Sequence, residues 1–378
     1  MMAQSPTVTS DQSELSMRTS TSTHGNHRIE TMRSRLGEWL AQRLGSATVA
    51  ISDLAKPKSG GRSNETYIFD ISWKVDGERR QKNLVLRLKP TSHRLFIDDN
   101  FEKQYRILSL LRETTTAPVP KVLWFESDGS VLGAPFFVME KIEGESPADN
   151  PPYKIEGFVR NASVENRRQL WVSSIETLAR LHSHAFSMGQ LDFLSEPSLG
   201  ISGIEQQLTW WRSCLDWAEA GQPHPVAVAT WEYLVNNMPR DRPTGLSWGD
   251  ARLGNMLFHD FRCVAVLDWE LVSLGGAMHD LGYWLAYEHY NAHPSLPGLG
   301  SRSETIETWE RFSGRRAVDL AWYEVFGCFR LLVIIIRACR MRREAGLRVG
   351  YPDFEFNNRC THRLAELLQL PPPGKLPE

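Results

Sequence analysis

No charge of one sign dominates this sequence: 43 Lys and Arg face 45 Asp and Glu across 378 residues, a formal net charge of -2 at pH 7. So balanced a chain offers no whole-molecule field for nucleic acid or an anionic membrane, and neither is expected as a partner. Long hydrophobic runs are lacking too. The most apolar stretch, Leu331 to Ile336, is stopped by Arg330 and Arg337, far short of the roughly 20 residues a membrane helix needs. Cysteine is scarce. Cys214, Cys263, Cys328, Cys339 and Cys360 are widely spaced and contain no CxxC pair, which argues against a zinc or redox motif and for reduced thiols in a cytoplasmic protein. The stretch from Met1 to about His27 has no apolar h-region, so a secretory signal is not expected there. Its Ser- and Thr-rich composition reads as a disordered tail over 1–28, and the proline-rich end, 371–378, reads as a second tail. There is no internal repeat.

What is present is an ordinary globular composition, 41% hydrophobic, enough to bury more than one core. Met32, Leu36, Leu40 and Leu44 recur at helical spacing, so a helix is expected to open the folded part. Tyr67, Phe69, Ile71, Trp73 and Val75 then alternate with more polar neighbours as far as Asp76-Gly77. With Leu84 to Leu88 beyond that turn signal, the pattern predicts a β-hairpin. A helix from Phe101 to Arg112 and strands at Val122–Phe125 and Phe136–Glu140 follow. From Asn166 onward long helical patterns take over, including Leu170–His184, Ile204–Glu219 and Trp322–Arg343. The predicted architecture is α+β and bilobal, a β-rich lobe over 29–143 and a mainly helical lobe over 144–370, joined near Glu140 to Gly144.

The most informative window runs Leu246-Ser-Trp-Gly-Asp-Ala-Arg-Leu-Gly-Asn-Met-Leu-Phe258, followed by Val264-Ala-Val-Leu-Asp-Trp-Glu270. Phosphoryl transfer needs a carboxylate that orients or accepts the proton of an attacking hydroxyl, and oxygen ligands that fix magnesium against nucleotide phosphates. Asp250, four residues, Asn255, then a short apolar strand ending in Asp268 supply that set in the order protein kinases use. An isolated Asp and Asn at this spacing is commonly only a turn or a helix cap. The strand ending in Asp268 and the glycine-rich hairpin upstream are what raise the signal above that.

On these residues the chain resembles the aminoglycoside phosphotransferase and choline kinase superfamily, from about Ser59 to Asp280. Within it, Arg-Leu-Gly-Asn-Met-Leu-Phe and Val-Leu-Asp-Trp-Glu-Leu look most like the kinase-like domain found beside acyl-CoA dehydrogenase modules. The resemblance implies a protein-kinase-like fold with ATP and magnesium as cofactors. It implies Asp250 as the catalytic Asp and Asn255 and Asp268 as magnesium ligands. Asp280, in His-Asp-Leu-Gly, resembles a downstream Asp that supports the catalytic loop and is counted with the substrate region. Arg252 is expected to offset phosphate charge during transfer. The loop Ser59 to Thr66 resembles the superfamily's nucleotide loop, with Gly60, Gly61, Ser63 and Asn64 toward phosphate, and Arg87 and Glu140 complete the expected nucleotide set. It is not a Walker A loop. His182 and the aromatics Trp284, Tyr287, Trp309, Trp322, Tyr323, Phe326 and Phe329 are expected to be structural.

Three departures matter. Arg87 stands where protein kinases carry the phosphate-binding Lys, and a guanidinium still clamps phosphate, with a planar fork. Gln104 stands where its Glu partner would be, and Glu102 lies on another helix face. Trp248 replaces the signature His. These keep open a second reading, a catalytically silent nucleotide-binding protein. The acceptor is expected to be a small hydroxyl compound. Six arginines and one acid fall between Val325 and Arg348, and Arg330, Arg337 and Arg340 share a helical face. That face is either solvated or an anion site. The second alternative favours a hydroxyacyl-CoA or other anionic or acyl-bearing acceptor over an aminoglycoside- or macrolide-type antibiotic.

Overall fold

The stripe that begins at Met32 becomes the buried face of a long helix, α1 (Gln12–Leu44), on which Met32, Leu36, Trp39 and Leu40 are all buried. The helix starts well before Ile29, inside the stretch read as a tail. Side chains close to Met32 anchor it, and propagating an anchored helix upstream needs no new nucleus. The computed structural model describes residues 12–57, 65–91, 94–98, 101–291 and 294–376.

Facing α1 is a five-stranded sheet of order β1-β2-β3-β5-β4, made of β1 (Val49–Ile51), β2 (Glu65–Val75), β3 (Glu78–Leu88), β4 (Val122–Glu126) and β5 (Phe136–Glu140). The β2–β3 hairpin turns at Asp76-Gly77 with φ of 52° and 81°, the two positive values that a tight type I′ turn demands. One face of the sheet, with Phe69, Ile71, Leu84, Leu86, Phe136 and Val138, packs with α1 into one core. The period-two pattern therefore reports a sheet apolar on the face it buries.

The chain divides into two compact units, the first built from α1, β1 to β3 and Leu123–Lys141, the second from Lys89–Val122 and everything from Ile142 onward. The helix expected within the first lobe, α2 (Phe101–Thr114), thus belongs to the second. Its surroundings explain this. Lys103 pairs with Glu196, Arg337 of a later helix donates to the Arg94 carbonyl, and the Val266 N–H donates to the Pro118 carbonyl.

The second unit continues with α3 (Phe158–Asn161), α4 (Val164–Ser183), α5 (Gly203–Glu219) and α6 (Pro225–Asn236). A hairpin follows, β6 (Met256–His259) and β7 (Arg262–Val266), then α7 (Ala277–Tyr290), α8 (Arg302–Ser313), α9 (Leu320–Glu344) and α10 (Arg359–Leu367). Ser202 with Glu205 and Ser301 with Glu304 form capping boxes that start α5 and α8. No helix among the described residues is long and apolar enough to cross a membrane, and all five cysteines are free.

Candidate active site

The hairpin β6–β7 decides where two of the expected residues meet. Its register pairs Met256 with Val266, so Asn255 and Leu267 lie opposite one another at the open end, and the Leu267 N–H donates to the Asn255 carbonyl at 2.8 Å. Asp268 is the next residue, half-buried and in the left-handed region at φ 58°. Asn255 also reaches back. Its amide nitrogen donates to the Asp250 carbonyl at 3.0 Å and to Asp250 Oδ2 at 2.5 Å. Only the NH₂ group of an amide can donate twice, which leaves the Asn255 side-chain oxygen for another partner. Asp250, Asn255 and Asp268 are thereby brought to one place by a loop and a hairpin.

Asp250 is 8% exposed. Its Oδ2 accepts from Asn255 and from Arg252 Nε at 3.0 Å, while Oδ1 is buried with no hydrogen-bond partner among the described residues. An orphaned buried carboxylate oxygen is costly unless something is meant to meet it.

Asp280 braces the loop from beneath. It lies in the first turn of α7, wholly buried, and accepts from Ser247 Oγ at 2.7 Å and the backbone N–H groups of Trp248 at 2.6 Å and Gly249 at 2.8 Å. His182 adds a fourth contact, Nε2 to Oδ2 at 2.9 Å. The Trp309 indole N–H donates to His182 Nδ1 at 3.0 Å, so the proton of the neutral ring sits on Nε2 and points at Asp280. Asp280, wholly buried, therefore supports the loop. Gly249 needs to be glycine: its φ is 96°, and a Cβ there would fall 2.0 Å from the Leu271 carbonyl oxygen.

Trp248 fills the place of the signature His. It is buried, and its indole N–H donates to the Leu267 carbonyl at 2.8 Å, one residue before Asp268. The loop keeps a tie to the Asp268 strand by means of an indole.

Arg252 does not face outward as a free cation. Nε binds Asp250, Nη1 binds Asp149, and the guanidinium lies 5.1 Å over the Tyr287 ring. Burial opposes its charge, but Asp250, Tyr287 and Asp149 more than offset this and hold it firmly protonated. The Tyr287 hydroxyl donates to the other Asp149 oxygen at 2.9 Å. Arg252, expected to offset phosphate charge, is here paired with two protein carboxylates. Asp149 and Tyr287 were not marked as site residues by the sequence, Asp149 because it lies in an irregular Pro-rich stretch without period.

The arginines of α9 likewise have protein partners. Arg330 is wholly buried, donates to the Gly249 carbonyl and lies 4.4 Å over Tyr283 and 5.1 Å over Trp211; burial pushes its pKa down. Arg337 caps the Arg94 carbonyl against Trp217, and Arg340 pairs with Glu344. These three do not form a shared anion cradle. In the first unit, Arg87 and Glu140 are not clustered either. Arg87 pairs in register with Phe137, off the α1-facing parity, whereas Glu140 shares the parity of Leu84 and Val138 and binds Lys82 at 3.2 Å. Gln104 is buried on α2, and Glu102 is exposed beside Arg106. Gly60, Gly61, Ser63 and Asn64 lie outside the described residues.

Among the described residues no group of three or more His, Cys, Asp or Glu could hold a metal ion. The Asn255 side-chain oxygen and the Asp268 carboxylate nevertheless suit magnesium, which takes one or two protein oxygens and completes its shell with phosphate oxygens and water.

An α+β molecule of this kind, an antiparallel sheet with one helix followed by a helical unit that carries a braced Asp loop and a short hairpin, has the kinase-like phosphotransferase fold. Residues 55–314 match the phosphotransferase enzyme family, and the chain belongs to that family. It is similar to human acyl-CoA dehydrogenase family member 11, 30% identical over 247 residues, which are 65% of this chain and 29% of that protein. Mouse acyl-CoA dehydrogenase family member 10 is 30% identical over 291 residues, 73% of this chain and 25% of the relative. The chain spans less than a third of the length of either. A solved structure, a putative aminoglycoside phosphotransferase from Ralstonia eutropha JMP134, shares the fold with a TM-score of 0.62 and 22% identity over 89% of this chain and 95% of that one.

Proposed function

We propose that the chain transfers the γ-phosphoryl group of ATP to a hydroxyl of a small acceptor, with Asp250 as the group that orients and deprotonates it. The orphaned Oδ1 of Asp250 carries this reading. Its partner oxygen is tied by Arg252 and Asn255, so Oδ1, buried and without a donor of its own among the described residues, is the oxygen that would take the O–H once an acceptor reaches the loop. The acceptor oxygen forms a bond to the γ-phosphorus, the bond to the β-bridging oxygen breaks, ADP leaves, and the hydroxyl proton passes to Asp250 and on to solvent or product. Asn255 and Asp268 would hold magnesium, whose charge eases the approach of the oxygen nucleophile to the phosphates. Arg87, half-buried on β3, is assigned to nucleotide phosphate along with the loop around Gly60 and Gly61.

For the acceptor, the α9 arginines no longer argue for an anion. The carboxylates around Asp250 argue against a polycation, because Arg252 and Tyr287 occupy Asp149, and Tyr153 and Lys154 occupy Glu288. An ammonium group recovers its hydration energy only from acids that are free to receive it. The likeness to acyl-CoA dehydrogenase family members supports a hydroxyacyl ester. The test is ADP release from MgATP, with and without magnesium, across hydroxyacyl-CoA esters, aminoglycosides and macrolides. Magnesium-dependent ADP release with a hydroxyacyl ester is expected, and Asp250→Ala should lower it by about 10²–10⁴-fold at unchanged ATP affinity. Wild-type turnover in that variant would overturn the assignment of Asp250. Nucleotide binding without turnover on any acceptor would favour the silent reading.

A further inference from the structure

A strip of chain just after Ile142 is stitched along the Asp250 loop. The Glu145 and Phe258 backbones exchange both hydrogen bonds at 2.9 and 2.8 Å, and Ser146 Oγ donates to the Gly254 carbonyl at 2.5 Å. The strip ends in Asp149, whose two oxygens receive Arg252 Nη1 and the Tyr287 hydroxyl. Arg252 in turn holds Asp250 Oδ2. A chain of contacts therefore runs from a surface carboxylate, its side chain 42% exposed, through the half-buried Arg252 guanidinium to the Asp250 carboxylate. The loop sequence makes room for it. A Cβ on Gly254 would lie 2.5 Å from Arg252 Nη1 and 2.9 Å from Asp149 Oδ1, in the middle of the latch.

We propose that Asp149 is a positioning residue for the reaction: through Arg252 it fixes the rotamer of Asp250, and Gly254 is glycine to let that latch close. This rests on the phosphoryl-transfer reading above. Neither Asp149 nor Gly254 touches reacting atoms in this account. Each acts on turnover because a displaced base loses its line to the acceptor hydroxyl, and displacements near 1 Å cost up to about 100-fold.

Two variants reach the latch from opposite sides. Asp149→Asn removes its charge and leaves the shape. Gly254→Ala crowds only the flexible ends of two side chains and keeps the fold. Each should lower kcat for acceptor-dependent ADP formation about tenfold or more with KM for MgATP within about twofold and an unchanged melting temperature. Because both act through one contact, the double variant should be no slower than the worse single one. Wild-type kcat in either single variant, or losses that multiply in the double, would overturn the proposal. A second readout stands apart from turnover: solvent exchange of the Arg252 Nε–H, followed by NMR, should quicken at least about fivefold in both variants, the bond to Asp250 being loosened. Absence of turnover in the wild type would sink the reading of function, and the latch would then stand or fall on that exchange rate alone.

Discussion

At the scale of single residues, the weight of the site rests on Asp280 as much as on Asp250. Four donors converge on a carboxylate with no exposure, and removing it strands the Trp248 and Gly249 N–H groups and His182 Nε2 in the interior, while Ser247 Oγ keeps His279 Nδ1. Breaking such a buried charged network typically costs about 3–5 kcal/mol. Asp280→Ala is accordingly expected to lower the unfolding free energy by that order in urea titration, and a loss within about 0.5 kcal/mol would show that the network contributes little. The motif string was enough to single out Asp250, Asn255, Asp268 and Asp280. It could not tell that Arg252 is clamped by Asp149, since a residue 103 positions away leaves no mark on local spacing.

At the scale of elements, α9 teaches what periodicity can and cannot say. Arg330, Arg337 and Arg340 do share a face, as seven-and-three spacing requires, but spacing is silent on what that face meets. Arg330 and Arg337 meet Gly249, Trp211, Tyr283 and Arg94 and serve as internal donors, whereas Arg340 is partly exposed and pairs with Glu344. The approach of α7 to α9 is set by two glycines. A Cβ on Gly282 would fall 2.4 Å from the Tyr323 carbonyl oxygen, and one on Gly327 2.8 Å from the Gly282 carbonyl oxygen. Alanine inside a helix gains about 1 kcal/mol over glycine, whereas overpacking against backbone costs typically 1–3 kcal/mol. The clash should win. Gly282→Ala is expected to lower the melting temperature, against the helix propensity, and a rise would mean that the two helices separate at little cost.

At the scale of the whole molecule, two histidines tie stability to pH. His279 lies wholly inside the second unit, its Nδ1 2.9 Å from Ser247 Oγ; burial and the Arg330 charge press its pKa well below the usual value. His224 is lowered by burial, with Nδ1 accepting from Ala227 and Nε2 against the Glu355 carbonyl. Unfolding restores each ring to a pKa near about 6.5. Below that pH the unfolded chain takes up protons that the folded chain refuses, so stability is full above it and falls as pH falls. The urea midpoint should drop between about pH 6.5 and 5, above the range where carboxylates titrate. A His224→Gln/His279→Gln double variant should flatten that slope, and an unaltered slope would assign it elsewhere.

The local pattern alone determined the hairpin at Asp76-Gly77 and the helices, read over 101–112 and 322–343 and found over 101–114 and 320–344, and it singled out the Asp, Asn and Asp of the candidate site, because these depend on period, turn chemistry and short spacing. Only tertiary structure decided that α2 joins the second unit, that Arg330 and Arg337 face inward, that an indole ties Trp248 to Leu267, and that Asp149 reaches Arg252. The physical reason is common to all four. Each is a contact between segments far apart in the chain, chosen by which buried donors and charges must find partners once the core has closed.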